Sequence, residues 1–138
     1  FMAGLKAGSF APTWPTINNQ WWPTGMEATK GSFFLTDNPI TVQFIHRGLA
    51  YLISLLILGW YLKARKISKA GLFRDLSYLP VLLVVIQVIL GVLTVVYSTN
   101  YKTLLWLGVS HQFVAMLLLM SLVFMSYLLS SKKSLPQS

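Results

Sequence analysis

The fold is decided by a stretch that reads Asn38-Pro39-Ile40-Thr41-Val42-Gln43-Phe44-Ile45-His46-Arg47-Gly48-Leu49-Ala50-Tyr51 and opens an apolar run reaching Leu62. Crossing a bilayer as a helix takes about 20 such residues. Asp37 or Asn38 suits the N-cap and Pro39 the first turn, where a missing N–H costs nothing. Ionisable side chains near the start of a membrane helix are costly, and they mark functional sites. We predict a transmembrane helix over 39–62 that carries such a site.

The composition supports a membrane protein. Of the 138 residues, 55% are hydrophobic and only 10% are charged, whereas soluble domains carry about 25% charged residues. The mean hydropathy is +0.64. A net charge of +8 would suggest nucleic acid in a soluble chain, but here we expect no nucleic acid and membrane lipid as the surroundings. The absence of cysteine excludes disulfides and thiolate ligands.

The remaining segments complete a single membrane domain over 1–138. Further transmembrane helices are predicted over 79–97 and 103–129. Residues 1–8 are apolar but too short to span, and they are interpreted as the end of a truncated helix, with a processed N-terminus as the alternative. Residues 9–38 form a predicted outer loop whose tryptophans favour the membrane interface, and simple anchoring there is its alternative role. The expected fold class is an all-α transmembrane helix bundle with three complete spans, the end of a fourth helix and a long outer loop.

Lysine and arginine are distributed unevenly between the two ends of the spans. The connection over 63–78 carries five of them and the C-terminal tail two, against three on the other side, namely Lys6, Lys30 and Lys102. The positive-inside rule therefore predicts a cytoplasmic or matrix-side connection and C-terminus. The aromatic loop then lies outside, on the periplasmic or extracellular face of a bacterial plasma membrane or the equivalent face of a mitochondrial inner membrane.

The two histidines of the chain lie at matched depths. His46 follows the start of its span by seven residues and His111 by eight, which places both roughly 10 to 12 Å below the outer end of their helices. Their spans run parallel, and helix bundles build cofactor sites from facing side chains. Two imidazoles underfill a zinc site but complete the coordination of a haem iron. We predict that His46 and His111 ligate a haem, with a hydrogen-bonded structural role for each as the alternative.

Small residues flank both histidines. Ala50 and Ala115 follow them by one turn, and Gly108 lies three residues before His111. They leave room for a macrocycle and are predicted to contact it, although small residues also let helices approach closely.

Two basic residues are candidates for binding the haem propionates. Arg47 lies near the outer surface, and arginine binds carboxylates with two parallel hydrogen bonds. Lys6 is a second candidate, from the preceding helix end. Snorkelling to the interface without a ligand is the alternative for both.

Several motifs resemble those of the haem A synthase family, in order along the chain. They are Ala3-Gly4-Leu5-Lys6-Ala7-Gly8, Thr13-Trp14-Pro15 with Asn18 and Trp22-Pro23, Asn38-Pro39, Val42-Gln43-Phe44-Ile45-His46-Arg47, the pattern Gln87, Gly91 and Thr94, and His111-Gln112.

The resemblance implies an eight-helix protein of two similar four-helix halves, each with a histidine pair, that oxidises the methyl group of haem O to the formyl group of haem A. In the family, the substrate half carries a glutamate three residues before its first histidine. That position is Gln43 here, so the chain resembles the C-terminal half, which holds haem b for electron transfer, and no residue is expected to be catalytic. The implied partners are the N-terminal half, haem O as substrate of the whole protein, and an unidentified electron donor or acceptor.

Two alternatives remain open from the sequence. A membrane cytochrome b that transfers electrons without oxygenation chemistry needs the same histidine pair. A structural or assembly subunit needs no cofactor and predicts a colourless protein.

Overall fold

The computed structural model describes residues 9–26, 38–67 and 71–131. Within these ranges the helices are α1 (Pro39–Ile67), α2 (Leu72–Leu76), α3 (Leu79–Val96) and α4 (Tyr101–Ser131). Three segments are long and apolar enough to cross a membrane, namely Pro39–Lys66, Leu72–Val96 and Tyr101–Ser130. The predicted all-α membrane fold class is therefore confirmed. The predicted helix end over 1–8 lies outside the described residues.

Asn38 defines the start of α1. Its side-chain Oδ1 accepts hydrogen bonds from the backbone N–H groups of Ile40, at 2.9 Å, and Thr41, at 3.3 Å. This is the geometry of an N-cap, which satisfies amides that have no partner within the helix. The Nδ2 group of the same side chain donates to the carbonyl of Gly25 at 2.6 Å. One residue thus caps the helix and fastens the outer loop to its first turn.

Asn38→Ala is expected to lower the free energy of unfolding by about 1–2 kcal/mol, because the cap is lost. The backbone amides of Ile40 and Thr41 should exchange faster with solvent deuterium. Asn38→Asp is the control, since it keeps a capping oxygen while replacing the donor to Gly25 with a carboxylate oxygen. Unchanged exchange at Ile40 in the alanine variant would show that the cap contributes nothing.

The helix α1 extends beyond the end expected at Leu62. It continues through Lys63, Arg65 and Lys66 to Ile67, because lysine and arginine are good helix formers and their charges are favourable near a helix C-terminus. The short helix α2 lies within the segment expected to be a plain connection. Its Phe73 is buried and meets Trp60 of α1 edge to face, with ring centroids 5.9 Å apart, which ties this connection to the bundle.

The helices α3 and α4 form an antiparallel hairpin with a short turn over 97–100, and α1 packs against α3. Two small clusters of buried side chains hold the three spans together, one of Ile57, Val84 and Leu118 and one of Ala64, Phe73 and Met125. Most other apolar side chains on the spans are exposed, as expected where helices face lipid rather than water. This arrangement places the first turns of α1 and the first half of α4 at the same end of the bundle, beside the outer loop.

Candidate functional site

The described part of the outer loop, 9–26, is folded against the start of α1. Ile17 and Gln20 exchange backbone hydrogen bonds of 3.0 Å, and between them Asn18 and Asn19 adopt φ angles of 50° and 64°. Two consecutive left-handed residues make a type I′ turn, which asparagine tolerates better than most residues. Trp22 meets Phe44 of α1 edge to face at 5.2 Å. The loop therefore covers the N-terminal end of α1.

Arg47 binds the backbone of this loop. Its Nη1 donates to the carbonyls of Pro15, at 3.3 Å, and Thr16, at 2.9 Å. Its Nη2 donates to the carbonyls of Ala11, at 3.4 Å, and Thr13, at 2.8 Å. We refer to these four bonds as the Arg47 clamp. A propionate bound by Arg47 would share or replace bonds of the clamp, and that predicted pairing stays a prediction.

Gln43 lies one turn before Arg47 on the same face of α1 and is fully buried. Its Nε2 donates to the carbonyl of Ala11 at 3.2 Å, so this carbonyl accepts from both side chains. The Gln43 Oε1 is buried without a hydrogen-bond partner among the described residues. At this position the amide side chain therefore fastens the loop to the helix.

The structure brings the two predicted ligands together. The imidazole centroids of His46 and His111 lie 6.3 Å apart, with 64° between the ring planes. Two imidazoles that bind one metal ion from opposite sides, through bonds of about 2.0–2.1 Å, have centroids roughly 6 Å apart. The spacing thus fits a single iron between the rings. His46 is exposed and His111 is half-buried.

His111 is held by α3 through two residues whose role the sequence reasoning missed. The side-chain Nε2 of Gln87 lies 3.0 Å from the Nε2 of His111, and a Cβ placed on Gly91 would lie 3.1 Å from the His111 Cε1. The other ring nitrogen, Nδ1, is buried with no hydrogen-bond partner in the part of the chain described. An amide in the middle of an apolar helix is the sequence signal that could have identified Gln87, because such a group needs a hydrogen-bond partner.

The other residues predicted to contact the haem differ in burial and in the space around them. Ala50 and Ala115 are half-buried. A Cβ on Gly108 would meet no described atom within 4 Å, so Gly108 borders open space. Lys6 lies outside the described residues. No group of three or more histidine, cysteine or acidic side chains that could hold a metal ion occurs within 9–26, 38–67 and 71–131.

Comparison with known proteins gives a consistent picture. A family model described as cytochrome oxidase assembly protein matches residues 1–123. A haem A synthase of Rhizorhabdus wittichii is 34% identical over 134 residues, which cover 96% of this chain and 36% of the relative. A haem A synthase of Flavobacterium psychrophilum is 36% identical over 122 residues, covering 86% and 35%.

The similarity extends to a eukaryote. A haem A synthase of Saccharomyces cerevisiae is 34% identical over 143 residues, covering 92% of this chain and 28% of the relative. The chain thus spans about a third of the length of these relatives. No solved structure matches it.

Proposed function

The chain belongs to the cytochrome oxidase assembly protein family, and from this premise we propose that it is the haem-binding half of a haem A synthase. In this proposal His46 and His111 ligate a b-type haem that transfers electrons. The observation that carries it is the 6.3 Å separation of the two imidazole centroids across α1 and α4. The unpartnered Nδ1 of His111 supports it, because the ring retains a nitrogen whose hydrogen-bonding capacity is unused.

A haem with two histidine ligands supplies one-electron transfer, and its potential is tuned by the axial ligands and their surroundings. The residues of this chain hold and orient the group. His46 and His111 ligate it from two helices, and Ala50, Gly108 and Ala115 leave space for its edge. The outer loop, fastened by the Arg47 clamp, keeps water from the outer side of the site. Arg47, and Lys6 before it, remain our candidates for the propionates.

Catalysis is assigned to a half of the protein outside this chain. There the methyl group of haem O would be oxidised to the formyl group of haem A. Gln43 occupies the position that corresponds to the catalytic glutamate of the family, and an amide neither takes up nor releases a proton as a general base or acid does. Its bond to the Ala11 carbonyl supports a structural role instead.

The proposal also includes the membrane location and orientation of the protein. The three apolar spans lie in a bacterial plasma membrane or a mitochondrial inner membrane, surrounded by lipid and by the other half of the protein. The excess of lysine and arginine over 63–78 and in the C-terminal tail supports a cytoplasmic or matrix side for both. The loop over 9–38 then faces outward, and an electron donor or acceptor meets the haem from there or from the other half.

The test of this function uses the full-length protein in cells that make haem O but lack their own haem A synthase. We expect haem A in the extracted pigments, and its loss with His46→Ala. A membrane cytochrome b would instead bind haem and form no haem A. Full-length protein that is folded and haem-loaded but yields no haem A would reject the synthase assignment in favour of that alternative.

A further inference from the structure

We propose that Gln87 and Gly91 are positioning residues that set the orientation of the His111 imidazole as a haem ligand. This inference rests on the proposed function. The two residues are one helical turn apart on α3 and therefore share a face. Both meet the same ring on α4, and together we call them the α3 cradle.

Gln87 is one of two polar side chains in α3, and the contrast between them is informative. The hydroxyl of Thr94 donates to the carbonyl of Leu90 at 2.7 Å, within its own helix. Gln87 instead reaches across to the His111 Nε2 at 3.0 Å. An amide in an apolar helix is costly without a partner, and the imidazole satisfies it. The bond in turn fixes how far the ring can rotate about its Cβ–Cγ bond.

Gly91 provides the space in which the ring sits. A Cβ there would lie 3.1 Å from the His111 Cε1 and 3.6 Å from its Nδ1, and the nearer distance is too short for ordinary contact. Gly48 and Gly59, both within α1, would meet no described atom within 4 Å. A side chain at Gly91 would thus force the ring to shift by a few tenths of an ångström, whereas a side chain at these two glycines would displace nothing.

The two contacts act on different parts of one imidazole. The amide holds Nε2, and the missing side chain of Gly91 leaves room for the adjoining Cε1. Nδ1, which has no hydrogen-bond partner among the described residues, is then the nitrogen left to bind the iron. The plane and tilt of His111 are therefore set by α3 rather than by its own helix. Residues that orient metal-binding histidines control both affinity and the electronic properties of the metal, and their loss typically lowers metal affinity by about 10–100-fold.

The experiment measures haem affinity and ligand geometry in the full-length protein with Gln87→Leu and Gly91→Ala. Protein from haem-depleted cells is titrated with haemin, and the low-spin iron signal is recorded by electron paramagnetic resonance. We expect haem affinity to fall by about 10–100-fold in both variants, with a shifted low-spin signal and a shifted midpoint potential. The controls are Thr94→Val, which removes the other polar side chain of α3, and Gly59→Ala, which adds a methyl group at a glycine away from the ring. Both should leave all three readouts at wild-type values.

The possible outcomes distinguish a failure of this inference from a failure of the proposed function on which it rests. If His111→Ala removes the haem but both cradle variants keep the wild-type affinity, signal and potential, the cradle is rejected and the ligand assignment stands. If His111→Ala leaves the haem unchanged, the ligand assignment fails and the cradle fails with it. Should Gly91→Ala fail to fold, Gln87→Leu still decides the matter, because an apolar side chain is well tolerated in a membrane helix.

Discussion

His46→Ala and His111→Ala are each expected to remove the low-spin b-type haem from the purified protein. The two ring centroids lie 6.3 Å apart with 64° between the ring planes, and in the proposed site each ring supplies one of the two axial ligands. Loss of a residue that orients a metal ligand typically lowers metal affinity by about 10–100-fold. Loss of the axial ligand itself should lower haem affinity by at least as much. The measurement is the ratio of extracted haem b to protein, together with the reduced-minus-oxidised visible spectrum.

The control for these variants is Gln112→Ala. Gln112 is adjacent to His111 in α4 and is exposed, so its loss changes polarity at the same depth without touching the imidazole pair. It should retain the haem. If neither histidine substitution changed the spectrum, the assignment of His46 and His111 as haem ligands would be contradicted, and the two residues would have a structural role.

Arg47→Met is expected to release the outer loop from α1. The substitution keeps an unbranched side chain and removes all four bonds of the Arg47 clamp. A hydrogen bond to a charged group contributes about 1.5–3 kcal/mol to stability. The four bonds of the clamp are partly exposed to solvent, so we count the contribution of only one. Losing it would raise the population of the locally opened loop about tenfold. We therefore expect the backbone amides of Asn18 and Gln20 to exchange with solvent deuterium at least about tenfold faster.

Arg65→Met is the matched control for the clamp. Arg65 is an exposed arginine of the same helix. Its guanidinium contacts Tyr61, with Nη1 donating to the hydroxyl at 3.0 Å and Cζ lying 5.7 Å from the ring centroid. Its loss should leave exchange in the loop unchanged. If Arg47→Met also left that exchange unchanged, the contacts of the loop with Asn38, Gln43 and Phe44 would be sufficient to hold it.

The membrane fold was predictable because it depends on long apolar runs. Each run exceeds the length needed to cross a bilayer, and Asn38-Pro39 marks the start of α1 by ordinary capping chemistry. The histidine pair was predictable for a related reason, since both residues lie at the same depth on helices that must run parallel. These features depend on local sequence and on length, and neither requires knowledge of how the helices pack.

The supporting contacts of the site depend on packing and could not be derived in this way. The Arg47 clamp uses backbone carbonyls of the loop, which every residue possesses, so no sequence pattern identifies them. The contact between Gln87 and His111 requires the rotation of α3 relative to α4. In the sequence, nothing distinguishes Gly91 from other small residues of a membrane helix. Its role becomes visible only from its position beside the His111 ring. The apolar run ends at Leu62, but the helix continues to Ile67 because basic residues favour a helix C-terminus.

The most direct test of the central claim is hyperfine spectroscopy of the oxidised full-length protein with isotopically labelled histidine. The signal lost on His46→Ala isolates the haem held by this chain from any other. The account predicts that this signal shows strong coupling of one iron to two histidine nitrogens, contributed by His46 and His111. Coupling to a single histidine nitrogen, or to none, would contradict it.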